Sequence, residues 1–302
     1  MAYIVFLSII AAVLVLITFL YLASLYLAYA GRNSKPFNTI SIHIFLFIQG
    51  IIDIAAIVFY SLTMYPRCFY STSSFFLSLN DFTFLTKFAF ISQEHFLYMQ
   101  LTNILLTILC RTLSVCFTST KIARVFNSLS CWCFLLIQFG IPTLIVIPLY
   151  VIANAKYGVK GLSVPLLLSS QDNKYNEYTF IIWVVYGFTV LFTSMFGYGY
   201  ILYIVKKKSV NRSQDAKILT HCACLILALL AVLGSLSVRR FRVLEGNPFM
   251  KLFFFTSILW IPFTNLVVTL YATTALRSVL VRPFVRRKSE QGSMGNLMTV
   301  LQ

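Results

Sequence analysis

Tyr3 to Ala30 reads YIVFLSIIAAVLVLITFLYLASLYLAYA, without one charged side chain. Coiled as an α-helix at about 1.5 Å per residue it extends roughly 40 Å, enough to cross the about 30 Å hydrocarbon core of a bilayer. A secretory leader has a shorter apolar stretch followed by a small-residue cleavage site, so this run reads as a spanning helix. Gly31-Arg32-Asn33-Ser34-Lys35-Pro36 ends it, with glycine, proline and charge together breaking the pattern. Six further runs follow: about Asn38–Met64, Phe88–Phe117, Leu129–Ile152, Thr179–Val205, Ile218–Val238 and Lys251–Leu276. A polar, aromatic-rich stretch, Cys68–Lys87, precedes the third, and a long polar loop, Ala153–Tyr178, precedes the fifth.

Composition supports the same reading. Hydrophobic residues make up 59% of the 302 and charged residues 11%, against about 25% charged in soluble domains. Mean hydropathy is +0.86. A soluble enzyme of this length could not cover so much apolar surface, and a disordered chain would not carry it. An outer-membrane barrel would alternate apolar and polar residues, whereas these runs are continuous. The expectation is an all-α, seven-transmembrane helix bundle. Residues 1–288 form its single domain and 289–302 a short flexible cytoplasmic tail.

The net charge of +16 would point to nucleic acid in a soluble protein. Here the bases sit between apolar runs, where they orient helices and meet anionic lipid, so nucleic acid is set aside. With the N-terminus outside, 15 of the 24 Lys and Arg fall on the inner side. These include Arg111, Lys121, Arg124, Lys206, Lys207, Lys208 and Lys217. The positive-inside rule favours this orientation, with a cytoplasmic C-terminus, although Arg239-Arg240-Phe241-Arg242 argues the other way.

Charged groups inside a span are expensive and default to functional hypotheses. Three qualify: Asp53 in the second run, and Glu94 and Arg111 in the third. Counting rise per residue from the inner helix ends puts Asp53, Gln100 and Asn265 roughly 16–20 Å deep, near one level. They form a candidate midplane cluster, either a packing element or a switch. Glu94 lies roughly 25 Å above Arg111, with His95 and Tyr98 nearby. It is read either as a wetted headgroup residue or as part of an outer-half ligand site. Arg111 is read either as an ordinary snorkelling anchor or as a functional base. Pro262 marks a candidate bend in the seventh run.

Catalytic motifs are absent: no Walker loop, no H-E-x-x-H, no G-x-S-x-G. His43, His95 and His221 lie in different runs, and the seven cysteines show no zinc spacing. Neither a metal nor another cofactor is expected. A retinal Schiff base is unsupported, because the seventh run has its lysine, Lys251, at the outer start rather than mid-depth.

Three stretches narrow the class. Phe37-Asn38-Thr39-Ile40 leading to Gly50-Ile51-Ile52-Asp53 resembles the second helix of nematode chemoreceptors. Leu105–Val115 resembles the end of their third helix, with Cys110 before Arg111 where an Asn is usual. Pro262 followed by Thr274-Ala275-Leu276-Arg277-Ser278-Val279-Leu280 resembles their seventh helix and its exit. The chain is thus similar to serpentine G-protein-coupled receptors of the Srg superfamily, in its Srg or Srv branch. It departs from rhodopsin-like receptors, lacking D-R-Y and N-P-x-x-Y. It also lacks a cysteine in 153–178, so the disulfide from that loop to the third helix cannot form.

The resemblance implies a plasma-membrane chemosensory receptor, with a sensory cilium as a candidate location. A small external ligand, an odorant or pheromone, would bind it, and a heterotrimeric G protein would meet its basic inner face. Its chemistry would be binding and helix movement rather than catalysis. The expected outer-half site comprises Glu94, His95 and Tyr98, with Trp183 and Tyr186 of the fifth run and Ser257 and Trp260 of the seventh. A seven-span transporter or channel and a non-signalling scaffold remain the alternatives.

Overall fold

Helices immersed in lipid must turn polar atoms inward and can leave their largest hydrocarbon side chains outside. The computed structural model describes residues 2–30, 48–63, 72–117, 120–129, 131–158, 167–170, 173–207, 223–224, 226–234 and 260–266. In chain order its helices are α1 (Ala2–Ala30), α2 (Gln49–Thr63), a short α3 (Ser73–Ser78), α4 (Thr83–Cys116), α5 (Lys121–Ser128), α6 (Cys131–Ile152) and α7 (Asn173–Lys207). The helical stretches α8 (226–234) and α9 (260–266) lie in the sixth and seventh runs. Trp132–Ile152 and Lys174–Ile204 are long and apolar enough to span by themselves.

The inside-out distribution is plain on α6. Trp132, Leu136, Leu144 and Val151, spaced along one face, are each at least 70% exposed. Gln138, on the opposite side, is buried, and its Nε2 donates to the Met99 carbonyl at 2.6 Å. Such an arrangement would precipitate in water and is stable in lipid.

The third span, α4, is the central post. Ile91, Tyr98, Leu101, Ile104 and Ile108 along it pack with Val146 and Leu149 of α6. Val190, Tyr198 and Ile201 of α7, Leu229 and Val232 of α8 and Ile261 of α9 complete this core. Leu14, Ile17 and Tyr21 of α1 form a second core with Ala56, Ile57 and Tyr60 of α2 and Leu266 of α9. Lipid tails are as apolar as leucine, so association rests on close packing and hydrogen bonds. Gly197 of α7 shows the closeness: a Cβ there would lie 2.6 Å from Ile108 Cγ2 and 3.1 Å from Thr112 Oγ1. Hydroxyl residues within the spans return their protons to the carbonyl one turn back, as Thr18 does to Leu14 at 2.8 Å and Ser194 to Val190 at 2.6 Å.

The loops preceding the third and fifth spans are more ordered than the sequence reading expects. The stretch Cys68–Lys87 contains α3 and the first turn of α4, which begins at Thr83 rather than Phe88. The loop 153–178 folds back as two antiparallel strands, β1 (Ala155–Gly158) and β2 (Leu167–Ser170), with Ala155 opposite Ser170 and Gly158 opposite Leu167. The fifth span starts at Asn173, not Thr179, because Tyr175 is buried against Phe90 with ring centroids 5.1 Å apart. On the open edge of β1, Asn80 acts as a surrogate strand. Its Nδ2 donates to the Tyr157 carbonyl at 2.9 Å, and its Oδ1 accepts from the Tyr157 amide at 2.8 Å. Phe76 packs on the Tyr157 ring at 5.3 Å.

Candidate functional site

Two carboxylates define two sites in the bundle. Asp53 on α2 is 0% exposed. Its Oδ1 accepts from Gln49 Nε2, one turn back on α2, at 2.5 Å, and from Gln100 Nε2 of α4 at 2.9 Å. Its Oδ2 accepts from Asn265 Nδ2 of α9 at 3.3 Å and lies 2.6 Å from the Tyr21 hydroxyl of α1. Four spans therefore meet on one carboxyl group. The three residues that depth arithmetic puts at one level are together here.

Tyr21 is the member that sequence reasoning misses, since an aromatic residue in an apolar run reads as packing. Its hydroxyl also lies 2.7 Å from the Pro262 carbonyl. One phenol proton cannot donate fully to both oxygens. The count closes when Oδ2 carries a proton that it gives to Tyr21, while Tyr21 gives its own to Pro262. Pro262 thus enters the cluster through its backbone, at the point where its missing N–H permits a bend in the span.

The second site lies nearer the N-terminal end of α4, about 9 Å along the helix from Gln100. Trp183 Nε1 of α7 donates to Glu94 Oε2 at 3.0 Å. Tyr98, one turn below Glu94 on the same face, is 0% exposed. Its ring lies 5.3 Å from that of Trp183 and 6.0 Å from that of Tyr186. Tyr186 Oη is 2.6 Å from Thr102 Oγ1. Thr102 spends its own proton on the Tyr98 carbonyl at 2.7 Å, so Tyr186 is the donor of that pair. Thr102 is a second residue that the sequence reading misses. Among the described residues, the buried Tyr98 hydroxyl has no hydrogen-bond partner. Such a group in a well-packed interior awaits an acceptor or donor from elsewhere. On the facing side of α4, the buried Tyr60 of α2 donates to the Gln93 carbonyl at 2.7 Å.

The remaining candidates separate. His95, about 100° further round the helix, meets Thr143 of α6 at 3.2 Å and faces away from Trp183. Trp260 is 45% exposed, whereas its neighbours Ile261 and Pro262 are buried. It stands on the outward face of α9, the position of an interface aromatic rather than a converging wall. Ser257 lies outside the described residues.

At the other end of α4, Phe117 stacks on Tyr200 of α7 at 5.7 Å. The segment after it, read from sequence only as polar and basic, forms the amphipathic α5. Its Phe126 packs on Phe134 at 5.2 Å, and Lys121 and Arg124 face outward. Lys206 and Lys207 are exposed at the same end, on the last turn of α7. The Arg111 side chain, Lys208 and Lys217 lie outside the described residues. Among the described residues no three of His, Cys, Asp and Glu converge to hold a metal.

A family model, that of the serpentine type 7TM GPCR chemoreceptor Srv, matches residues 6–247. No curated protein matches the chain. The family match covers most of the sequence, and the chain belongs to the Srv family of seven-transmembrane chemoreceptors.

Proposed function

We propose that this Srv-family member is a multi-pass plasma-membrane receptor, resident in a sensory cilium. A small external ligand binds it between the third and fifth spans, and its inner face engages a heterotrimeric G protein. The observation that carries this reading is the double role of α4. Tyr98 belongs to the outer cluster with Trp183 and Tyr186. Gln100, two residues on, belongs to the Asp53 cluster that joins α1, α2 and α9. A ligand that prefers one setting of α4 at Glu94 therefore biases the cluster that ties four spans together. That is the differential contact a population shift requires.

The exposed bases Lys121, Arg124, Lys206 and Lys207 supply an inner surface for the G protein and for anionic lipid. The Arg111, Lys208 and Lys217 side chains are assigned to the same face. In this orientation the N-terminus is outside, and Asn211-Arg212-Ser213, the only N-x-[ST] sequon, faces the cytoplasm. Asn211 should then carry no glycan; a glycan there would reverse the orientation.

Guanine-nucleotide exchange in membranes containing the full chain and a co-expressed G protein, challenged with a panel of small volatile compounds, tests the reading. Ligand-dependent exchange is expected. A surface-delivered chain that stimulates none of the G-protein classes would overturn it.

A further inference from the structure

Tyr98 carries a polar group that the bundle leaves unserved. Its side chain is 0% exposed, and among the described residues its hydroxyl has no hydrogen-bond partner. The hydroxyls of Thr102 and Ser194 turn to the carbonyl one turn back on their own helices. A phenol at the end of a rigid ring has no such recourse. The phenols of Tyr21, Tyr60 and Tyr186 are instead each bonded to another span, which sets Tyr98 apart from them. Helical side chains lean toward the N-terminus of their helix, so the Tyr98 hydroxyl is directed toward the turn that carries the half-buried Glu94. Its ring lies 5.3 Å from that of Trp183, which is buried, and 6.0 Å from that of Tyr186, which is half-buried. One placed polar group among hydrocarbon walls is the layout of a small-molecule site.

The chemistry of the missing partner follows from the phenol. Its oxygen lone pairs are delocalised into the ring, so it donates better than it accepts, and what it lacks is an acceptor. An anionic acceptor is disfavoured, because ring faces repel anions and a charge is expensive inside a membrane. A neutral carbonyl oxygen takes the proton and brings no charge into the bundle. We propose that this site binds a small neutral carbonyl compound, a ketone, aldehyde or ester. Its oxygen accepts the Tyr98 hydroxyl proton, and its hydrocarbon body packs against Trp183 and Tyr186. The proposal rests on the receptor reading for its physiological meaning and on Tyr98 for its chemistry. A hydroxyl kept for a ligand is a burden on the empty chain, so deleting it should not weaken the unliganded fold.

The test uses the purified full chain in lipid nanodiscs, read by thermal shift, in parallel with nucleotide exchange in membranes. The probes are acetophenone, benzaldehyde and 2-hexanone, each paired with the hydrocarbon of like shape, ethylbenzene, toluene and hexane. Benzoate is the charged control. At least one carbonyl compound should raise the melting temperature at concentrations about tenfold below its hydrocarbon partner, and benzoate should have no effect. Tyr98→Phe, which keeps the ring, should abolish that preference while melting at or above the parent without ligand. A Tyr98→Phe chain that melts clearly below the parent would show the hydroxyl already satisfied by internal water, and would overturn the proposal. Equal responses within every pair, no response to any carbonyl compound, stabilisation by benzoate, or a preference that survives in Tyr98→Phe would each overturn it too. Carbonyl binding that depends on Tyr98 without any nucleotide exchange would keep the site and sink the receptor reading instead.

Discussion

Asp53 and Glu94 are both acidic residues within the described spans, and they are held in different ways. Asp53 has no exposed surface and is hydrogen-bonded to groups on four spans. Glu94 is half-buried, one turn from an orphaned phenol, and takes the proton of an indole. A carboxyl group whose oxygens are filled by partners on four spans holds those helices together. Glu94 lies nearer the N-terminal end of α4, among aromatic faces, and ties that helix to α7 through Trp183. The same residue chemistry therefore yields a four-span fastening and a half-buried cross-link between two spans, with α4 running through both.

The largest expected effect breaks the fastening. Asp53→Ala would leave Gln49, Gln100, Asn265 and Tyr21 facing a void in a medium that offers no water. Stranding several buried donors at once should cost about 3 kcal/mol or more. Thermal melting of the solubilised chain should show a large drop, with poor surface delivery in cells. Asp53→Asn should be much milder. Its carbonyl can still accept from Gln49 and Gln100, and its amide can donate to Tyr21 as a protonated Asp53 Oδ2 would. Equal melting of Asp53→Ala and the parent would mean that the cluster does not hold the spans.

How far this contrast is readable from sequence depends on what sets each part. The spans follow from run length, and the common level of Asp53, Gln100 and Asn265 follows from helical rise alone. Tyr21 does not. The α1 run is apolar on every side, so no periodicity reveals which residue faces the bundle. Sequence gives the Glu94–Trp183 pair only as a neighbourhood, because depth says nothing of rotation. For the same reason it groups His95 with Glu94, although adjacent helical residues face different neighbours. The hairpin was invisible for another reason. Two four-residue strands have little intrinsic stability, and what holds β1 is Asn80, 77 residues away.

The second effect asks whether close packing of α4 on α7 keeps Glu94 and Trp183 together. Gly197→Ala would push a methyl into Ile108 Cγ2, 2.6 Å away on a fully buried branched side chain. Overpacking of this kind costs about 1–3 kcal/mol. The melting temperature should fall, because the helices must part. Gly187→Ala is the sharper control. Its Cβ would meet Leu233 Cδ2 at 2.5 Å, the far end of a flexible side chain on α8, so a small rotation suffices. Equal losses in the two variants would show that the α4–α7 approach has no special role.

The third effect concerns the β1–β2 hairpin beside the start of α4. Asn80→Ala removes both hydrogen bonds to the Tyr157 peptide unit, leaving β1 fastened by β2 and by Phe76. Because water reaches this end, the loss should be about 1–2 kcal/mol, a roughly tenfold rise in local opening. Hydrogen–deuterium exchange in nanodiscs should report faster exchange at 155–158, while the α4 segment around Gln100 stays protected. Unchanged exchange at Tyr157 would remove Asn80 from the fastening.

The smallest effect is predicted for the residue next to Glu94. His95 and Glu94 are neighbours in sequence but about 100° apart around the helix, and His95 meets Thr143 on the α6 side. Thr143 donates its only hydroxyl proton to the Phe139 carbonyl at 2.6 Å, so His95 Nε2 is the donor of their pair. This bond is exposed, and losing it should cost under about 1 kcal/mol. His95→Ala should therefore melt close to the parent, whereas Trp183→Phe, which removes the buried indole donor from the Glu94 carboxylate, should melt clearly lower. Thermal melting of the solubilised chain measures both. If His95→Ala lowered the melting temperature as far as Trp183→Phe does, the α6 side of α4 would matter to the bundle as much as the α7 side. The division of labour between the two sides of this helix would then fail.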